Sequence, residues 1–133
     1  MPGKLIFVVD DDLDHVFDCK EFLENEGFAV VEAGDGRKAL KLLMDETLEP
    51  PAVILLDLSM PIMDGWEFLA VVKSYVRLHA IPVILVSGYP PTLDPVEHGT
   101  IAAYLHKPYD PEEILTLVRK FAGSSAPVAE AAT

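Results

Sequence analysis

An apolar run that ends in three carboxylates, Leu5-Ile6-Phe7-Val8-Val9-Asp10-Asp11-Asp12, decides the fold. Three later apolar runs also end at a chemically active side chain. They are Val53–Leu56 before Asp57, Val83–Val86 before Ser87, and Tyr104–His106 before Lys107. Short runs rich in Val and Ile, separated by amphipathic stretches, predict buried parallel strands joined by crossover helices. Because the carboxyl ends of parallel strands lie at one edge of the sheet, where ligands bind, these residues should converge on one spot.

The composition limits the class of protein. The 133 residues suit one domain, and half of them are apolar, which is enough for a core. No apolar run approaches the roughly 20 residues of a membrane span, and no secretory h-region is present. The net charge of −12 argues against direct binding of nucleic acid but is compatible with a metal cation or a basic partner. The single cysteine, Cys19, excludes an internal disulfide and fits a reducing compartment, so we expect a cytoplasmic protein that is not bound to membranes.

Strand and helix alternate five times along the chain, which is typical of an α/β fold. Residues 1–122 are interpreted as one domain, and residues 123–133 as a disordered tail. The segment between Ser87 and Ala102 carries three prolines and allows only a short or irregular fourth helix. Strands are predicted at about 4–9, 28–32, 53–56, 82–86 and 102–105, and helices at about 13–26, 64–78 and 92–98. A second helix is predicted after its cap Asp35, with Leu43 on its apolar face, and a last helix after its cap Asp110, with Phe121 on its apolar face.

The predicted site gathers several carboxylates, one hydroxyl and one ammonium group. Two unit charges about 4 Å apart cost roughly 4 kcal/mol at an effective dielectric of about 20, so either a carboxylate takes up a proton or a cation binds. A site with few carboxylates suits Mg²⁺, which keeps several waters and leaves room for phosphate oxygens. One carboxylate would then act as the nucleophile towards a phosphoryl donor, with Lys107 and Ser87 contacting the phosphoryl group.

Four pieces of the chain together resemble the receiver domain of two-component response regulators. They are Val8–Asp12, Leu55–Gly65, Ser87-Gly88 and Tyr104–Pro108, and their order and spacing are far more specific than any single piece. The resemblance covers about residues 4–122. It implies a flavodoxin-like fold: a doubly wound, five-stranded parallel sheet with strand order 2-1-3-4-5.

The resemblance assigns a chemical role to each acidic residue that it matches. Asp57 would be the phosphoacceptor, which takes a phosphoryl group from a phosphohistidine. Asp10, Asp11 and Asp57 would hold Mg²⁺ together with the backbone carbonyl of Ser59, and Mn²⁺ would be an acceptable substitute.

Further matching residues would couple the phosphoryl group to the protein surface. Lys107, aimed by a cis peptide bond to Pro108, would pair with Asp57 or with its phosphoryl group. Ser87 would be the switch hydroxyl, and Tyr104 the switch aromatic that moves between outward and inward positions. The face formed by the fourth helix, fifth strand and fifth helix would change as a result.

The resemblance also implies partners. A histidine kinase or a histidine phosphotransfer protein would donate the phosphoryl group, and an effector protein of unknown identity would recognise the switched face. The domain would assist its own phosphorylation and dephosphorylation without being an enzyme. No contact with nucleic acid or membrane is implied, and a homodimer stays open.

Three other functions compete with this interpretation. A receiver-like interaction module would have the same fold without accepting phosphate, and the intact acidic set argues against it. A phosphohydrolase of the haloacid dehalogenase type requires a second Asp two residues after the nucleophile, where this chain has Ser59. A flavodoxin-type electron carrier requires a phosphate loop after the first strand, where the run Asp10–Asp12 would repel phosphate.

Other conspicuous residues have plainer interpretations. Asp12 is expected to cap the first helix, Cys19 to lie in the core, and Trp66 to be exposed. The histidines show no metal-ligand spacing and are expected at the surface; they are His15, His79, His98 and His106.

Overall fold

The computed structural model describes residues 4–57, 65–88 and 101–122. Within these ranges the chain forms five strands and four helices, which alternate except that the fifth strand follows the fourth among the described residues. The strands are β1 (Leu5–Val9), β2 (Ala29–Ala33), β3 (Val53–Leu56), β4 (Val83–Ser87) and β5 (Ala103–His106). The helices are α1 (Leu13–Asn25), α2 (Gly36–Leu43), α3 (Gly65–Ser74) and α4 (Pro111–Ala122). Helix α4 corresponds to the fifth helix predicted from the sequence. Among the described helices, none has the length and apolar character needed to cross a membrane.

The five strands form one parallel sheet in the order β2-β1-β3-β4-β5. This is the flavodoxin-like order predicted from the sequence, and that prediction is confirmed. The register pairs Val9 of β1 with Leu56 of β3. The residues that follow them, Asp10 and Asp57, therefore leave the sheet side by side at its carboxyl edge.

The alternation of side chains along β1 divides the core into two layers. Ile6 and Val8 point into one layer and Phe7 and Val9 into the other, and none of the four is more than 1% exposed. Helices α1 and α4 cover the first layer, whereas α2 and α3 cover the second. The sheet is thus buried on both faces, which explains why its strands read as continuous apolar runs.

Two aspartates begin helices close to the carboxyl edge of the sheet. Asp12 is the N-cap of α1, as predicted, and its side chain accepts hydrogen bonds from the backbone N–H groups of Asp14 and His15. Asp35 caps α2 in the same way and accepts from the N–H of Lys38 at 2.9 Å. These caps satisfy backbone donors that a helix leaves unpaired at its start.

Helix α3 is shorter than the predicted helix. It ends at Ser74 rather than near Leu78, because the chain turns there, with hydrogen bonds from Tyr75 N–H to the Val72 carbonyl and from Leu78 N–H to the Tyr75 carbonyl. The turn places Leu78 in the core with no exposed surface. The predicted start of this helix at Asp64, the fourth helix at 92–98 and the tail at 123–133 lie outside the described residues.

Removal of the Phe68 side chain should destabilise the fold strongly. Phe68 of α3 has no exposed surface, so replacement by Ala loses apolar burial and leaves a cavity. Changes of this kind cost about 3–5 kcal/mol, and we expect a loss of that size in the free energy of unfolding by urea. The matched control is Phe17→Ala, because Phe17 is 65% exposed and its loss should cost less than about 0.5 kcal/mol. Equal losses in the two variants would contradict the burial of Phe68.

Candidate functional site

Three carboxylates lie together at the carboxyl edge of the sheet. Asp10 and Asp11 follow β1, and Asp57 follows the neighbouring strand β3, where its N–H donates to the Val9 carbonyl at 3.0 Å. One oxygen from each carboxylate lies within 4.8 Å of the others. Asp10 and Asp57 are buried, at 2% and 8% exposed, whereas Asp11 is open to solvent. The convergence predicted for these three residues is therefore what the sheet register produces.

Asp10 accepts three hydrogen bonds through its two carboxylate oxygens. Its Oδ1 accepts from the N–H of Asp12 at 2.9 Å, and its Oδ2 accepts from His15 Nδ1 at 2.7 Å and from Lys107 Nζ at 3.0 Å. Burial acts to raise the pKa of Asp10, but the hydrogen bonds from His15, Asp12 and Lys107 outweigh burial and lower it. Asp10 therefore stays ionised although it is buried.

Lys107 reaches the acid cluster from the segment after β5. Its N–H donates to the Ser87 carbonyl at 2.8 Å, and its peptide bond to Pro108 is cis, the geometry expected from the sequence. Burial acts to lower the pKa of Lys107, but the hydrogen bond to Asp10 and the charges of Asp10 and Asp57 raise it. Lys107 was expected to pair with Asp57 or with its phosphoryl group; its ammonium group donates to Asp10 at 3.0 Å, and the charge of Asp57 also acts on it.

Ser87 and Tyr104 lie on the adjacent strands β4 and β5. Ser87 ends β4 and is 1% exposed. Tyr104 is half-buried, its hydroxyl donates to the Ser87 carbonyl at 3.4 Å, and burial raises its pKa. The same carbonyl accepts from the N–H of Lys107, so the backbone of Ser87 connects both residues. Ser59, the remaining residue predicted for the site, lies outside the described residues.

His15 is not at the surface, and the expectation that it would be is wrong. Its Nδ1 donates to Asp10, and its Nε2 contacts the hydroxyl of Tyr109 and, at 3.4 Å, the sulfur of Cys19. The rings of His15 and Tyr109 meet edge to face with centroids 5.6 Å apart. Burial acts to lower the pKa of His15, but the hydrogen bonds to Asp10 and Cys19 raise it to about 9.

Tyr109 is a second residue that the sequence analysis missed. Its hydroxyl also contacts the sulfur of Cys19 at 3.2 Å, and burial together with nearby negative charge raises its pKa. The signal in the sequence was weak: a histidine in the first turn of the helix after the acidic run, and a tyrosine two residues after Lys107. Cys19 itself is buried in the core, as expected.

A groove of about 460 Å³ lies beside this cluster, between α1 and the start of α4. Phe22 and Ile114 contribute apolar walls, and Asp14 and Asp18 lie on its α1 side. His15 lies where the groove meets the acid cluster, since it lines the groove and also contacts Asp10.

The arrangement fits one hard cation held by oxygen ligands. Three carboxylates converge within 4.8 Å, and two of them are buried, so a cation between them would offset their mutual repulsion. A family model for the response regulator receiver domain matches residues 6–119 of the chain. The chain belongs to the response regulator receiver family. It is a receiver domain of two-component signalling, and the alternatives of a hydrolase or an electron carrier are not favoured.

Curated relatives agree with this assignment. The chain is 37% identical over 116 residues to the transcriptional regulatory protein CpxR of Escherichia coli, a match that covers 86% of this receiver domain and 47% of CpxR. It is 29% identical over 128 residues to the protein PilG of Pseudomonas aeruginosa, covering 95% of this chain and 93% of PilG. The chain thus spans about half the length of CpxR but nearly all of PilG.

Solved structures have the same fold. The chemotaxis protein CheY4 of Vibrio cholerae superposes with a TM-score of 0.80 at 24% identity, covering 90% of this chain and 98% of CheY4. The phosphorylated cyanobacterial phytochrome response regulator RcpA superposes with a TM-score of 0.77 at 30% identity, covering 94% of this chain and 97% of RcpA. The receiver fold therefore extends over all the elements described here.

Proposed function

We propose that this receiver domain accepts a phosphoryl group on Asp57 from a phosphohistidine in the presence of Mg²⁺. One observation carries the proposal: three carboxylates converge within 4.8 Å, and the ammonium group of Lys107 lies 3.0 Å from one of them. Asp57 is the carboxylate at the end of β3, beside Asp10. The 30%-identical RcpA is known in a phosphorylated form, which supports the same chemistry here.

In the proposed reaction, a carboxylate oxygen of Asp57 attacks the phosphorus atom of the phosphohistidine. A P–O bond forms to give an acyl phosphate on Asp57, the P–N bond breaks, and the leaving imidazole takes up a proton from solvent. Phosphoryl transfer depends mainly on positioning and on neutralisation of charge. Lys107 would supply a positive charge to the phosphoryl oxygens, and the Ser87 hydroxyl would donate a hydrogen bond to one of them.

Asp10, Asp11 and Asp57 would hold the metal, together with the backbone carbonyl of Ser59. A small set of oxygen ligands suits Mg²⁺, and Mn²⁺ would substitute for it. Bound metal would neutralise the cluster and allow an anionic phosphoryl donor to approach. We propose no enzymatic turnover of a separate substrate: the domain would assist only its own phosphorylation and dephosphorylation.

The proposed donor is a histidine kinase or a histidine phosphotransfer protein, and the proposed recipient of the signal is an effector protein that contacts the face around Tyr104 and α4. CpxR is a transcriptional regulatory protein, but about half of its length has no counterpart in this chain, so its output is not assigned here. A cytoplasmic location is part of the proposal, because the sequence has a single cysteine, which is free and buried.

Intact-mass measurement after incubation with acetyl phosphate tests the proposal directly. The wild-type protein should gain the mass of one phosphoryl group with Mg²⁺ present and gain none when EDTA removes the metal. Absence of the adduct with Mg²⁺, at protein and phosphodonor concentrations that label another receiver domain, would refute the phosphoacceptor function.

Replacement of Ser87 by Ala should separate phosphorylation from switching. The phosphoryl group carries close to two negative charges and strong acceptor oxygens, so the Ser87 hydroxyl should move towards it and disturb the hydrogen bond from Tyr104 to the Ser87 carbonyl. The variant should still be phosphorylated but should lose the change in amide exchange at β5 and α4 on addition of beryllofluoride, a phosphoryl mimic. Ser74→Ala, at the exposed end of α3, is the matched control. An unchanged response in Ser87→Ala would show that the signal does not pass through this hydroxyl.

A further inference from the structure

His15 holds a position at the acid cluster that the proposed phosphoryl transfer does not use. It is the third residue of α1, and the helix turns its ring back over the carboxyl end of β1, where Nδ1 lies 2.7 Å from Asp10 Oδ2. The side chain is only 15% exposed. His15 is hydrogen-bonded to a carboxylate of the candidate metal site. It therefore affects which oxygen atoms of this carboxylate are available to a metal ion.

The Oδ2 atom of Asp10 has no capacity left for a cation. A carboxylate oxygen has two lone pairs, and those of Oδ2 accept from His15 Nδ1 and from Lys107 Nζ. Oδ1 accepts one hydrogen bond, from the N–H of Asp12, and keeps its second lone pair among the contacts described. Asp10 can therefore bind a metal ion with Oδ1, either directly or through a water, but not with both oxygens.

The two donors on Oδ2 differ in how firmly they are held. Lys107 ends in a flexible four-carbon stem, so its ammonium group can move to a phosphoryl group. The His15 ring is fixed at both nitrogens, since Nε2 contacts the Tyr109 hydroxyl and the Cys19 sulfur while Tyr109 packs edge to face against the ring. Without a phosphoryl group both donors would stay on Oδ2, and when a phosphoryl group draws Lys107 away, His15 is the donor that would remain.

We propose that His15 is a positioning residue that competes with divalent cations for Asp10 and restricts this carboxylate to a single metal-facing oxygen. The inference rests on the proposed metal site. The Nδ1–H donor is present both in the neutral ring with its proton on Nδ1 and in the doubly protonated ring, so the competition does not depend on the charge of the ring.

The restriction bears on which cation the site prefers. Mg²⁺ takes six ligands in near-ideal octahedral geometry and is satisfied by single carboxylate oxygens and waters, whereas Ca²⁺ takes six to eight ligands and accepts carboxylates through both oxygens. With His15 in place, Asp10 offers a single oxygen, which suits the octahedral coordination of Mg²⁺. Without His15, Oδ2 would regain one lone pair, so that Asp10 could offer both oxygens to a cation, which benefits Ca²⁺ more than Mg²⁺.

Calorimetric titration with Mg²⁺ and with Ca²⁺ tests the inference in the absence of any phosphodonor. His15→Leu should bind Mg²⁺ about tenfold more tightly than wild type, which corresponds to about 1.4 kcal/mol. Its affinity for Ca²⁺ should rise by a larger factor, so that the preference for Mg²⁺ falls. His15→Asn keeps an amide N–H near the position of Nδ1 and should restore the wild-type preference.

Two further variants complete the design. His79→Leu removes a solvent-exposed histidine by the same substitution and should leave both affinities unchanged. Tyr109→Phe keeps the ring but removes the hydroxyl that fixes His15, and should give affinities between wild type and His15→Leu. Thermal unfolding of each variant without metal shows whether the variant is folded. If His15→Leu does not fold, the comparison of wild type with His15→Asn and Tyr109→Phe tests the inference instead.

The outcomes separate this inference from the proposed function. If wild type binds Mg²⁺ but His15→Leu binds it equally or more weakly with an unchanged preference, His15 merely supports the structure of Asp10 and the inference is wrong. If wild type binds neither cation, the proposed metal site fails and the inference fails with it. If His15→Leu binds both cations more tightly and prefers Mg²⁺ less than wild type does, and if His15→Asn restores the wild-type preference, the competition is established.

Discussion

Replacement of Asp57 by Asn should abolish formation of the phosphoryl adduct with acetyl phosphate and Mg²⁺. Asn has nearly the same shape as Asp, so the end of β3 and the hydrogen bond from residue 57 to the Val9 carbonyl should be retained. The amide, however, lacks the ionised oxygen that attacks phosphorus, and it also removes one of three charges that would hold the metal. We expect intact-mass measurement to show no adduct in the variant under conditions that label the wild type.

Asp12→Asn provides the control for this experiment. Asp12 also follows β1 and is exposed, but its side chain caps α1. Because Asn caps helices about as well as Asp, this variant should fold normally and gain the phosphoryl group as the wild type does. A phosphoryl group on Asp57→Asn at the wild-type rate would show that the acceptor is another residue, and peptide mapping of the adduct would then find it.

The parallel sheet and the convergence of the acidic residues were predictable because both depend on short-range patterns and on one topological rule, whereas the strand order followed from the resemblance to receiver domains. Each strand is a compact apolar run, and the order of a doubly wound parallel sheet brings the ends of β1 and β3 together. Once Val9 pairs with Leu56, Asp10 and Asp57 must be neighbours. No knowledge of side-chain packing was needed to place them.

The contacts of His15 were not predictable in this way. The hydrogen bond between His15 and Tyr109 joins residues 94 positions apart, and it depends on how α1 lies against the segment after β5. The spacing between His15 and Asp10 resembles no metal-binding motif, because His15 contacts the carboxylate rather than a metal. The end of α3 was missed for a related reason: the apolar pattern continues to Leu78, but tertiary packing buries this residue through a turn.

The largest effect on metal binding should come from Asp11→Asn. Asp11 is the exposed member of the cluster, so a hydrated ion that enters from solvent would meet this carboxylate first. A unit charge about 4 Å from a divalent ion contributes roughly 8 kcal/mol of attraction at an effective dielectric of about 20, and the cost of desolvating the two charges offsets part of this attraction. We therefore expect Mg²⁺ affinity to fall at least about a hundredfold and Mg²⁺-dependent phosphorylation by acetyl phosphate to be abolished.

Asp18→Asn is the matched control for this loss of charge. Asp18 is an exposed carboxylate of α1 outside the cluster, so the same substitution changes the net charge equally while leaving the three converging carboxylates intact. Its Mg²⁺ affinity, measured by calorimetry at physiological ionic strength, should stay close to wild type because salt screens isolated exposed charges. Equal affinities in Asp11→Asn and Asp18→Asn would mean that Asp11 is not a metal ligand. The metal would then have to be held by Asp10 and Asp57, the two buried carboxylates, without the exposed one.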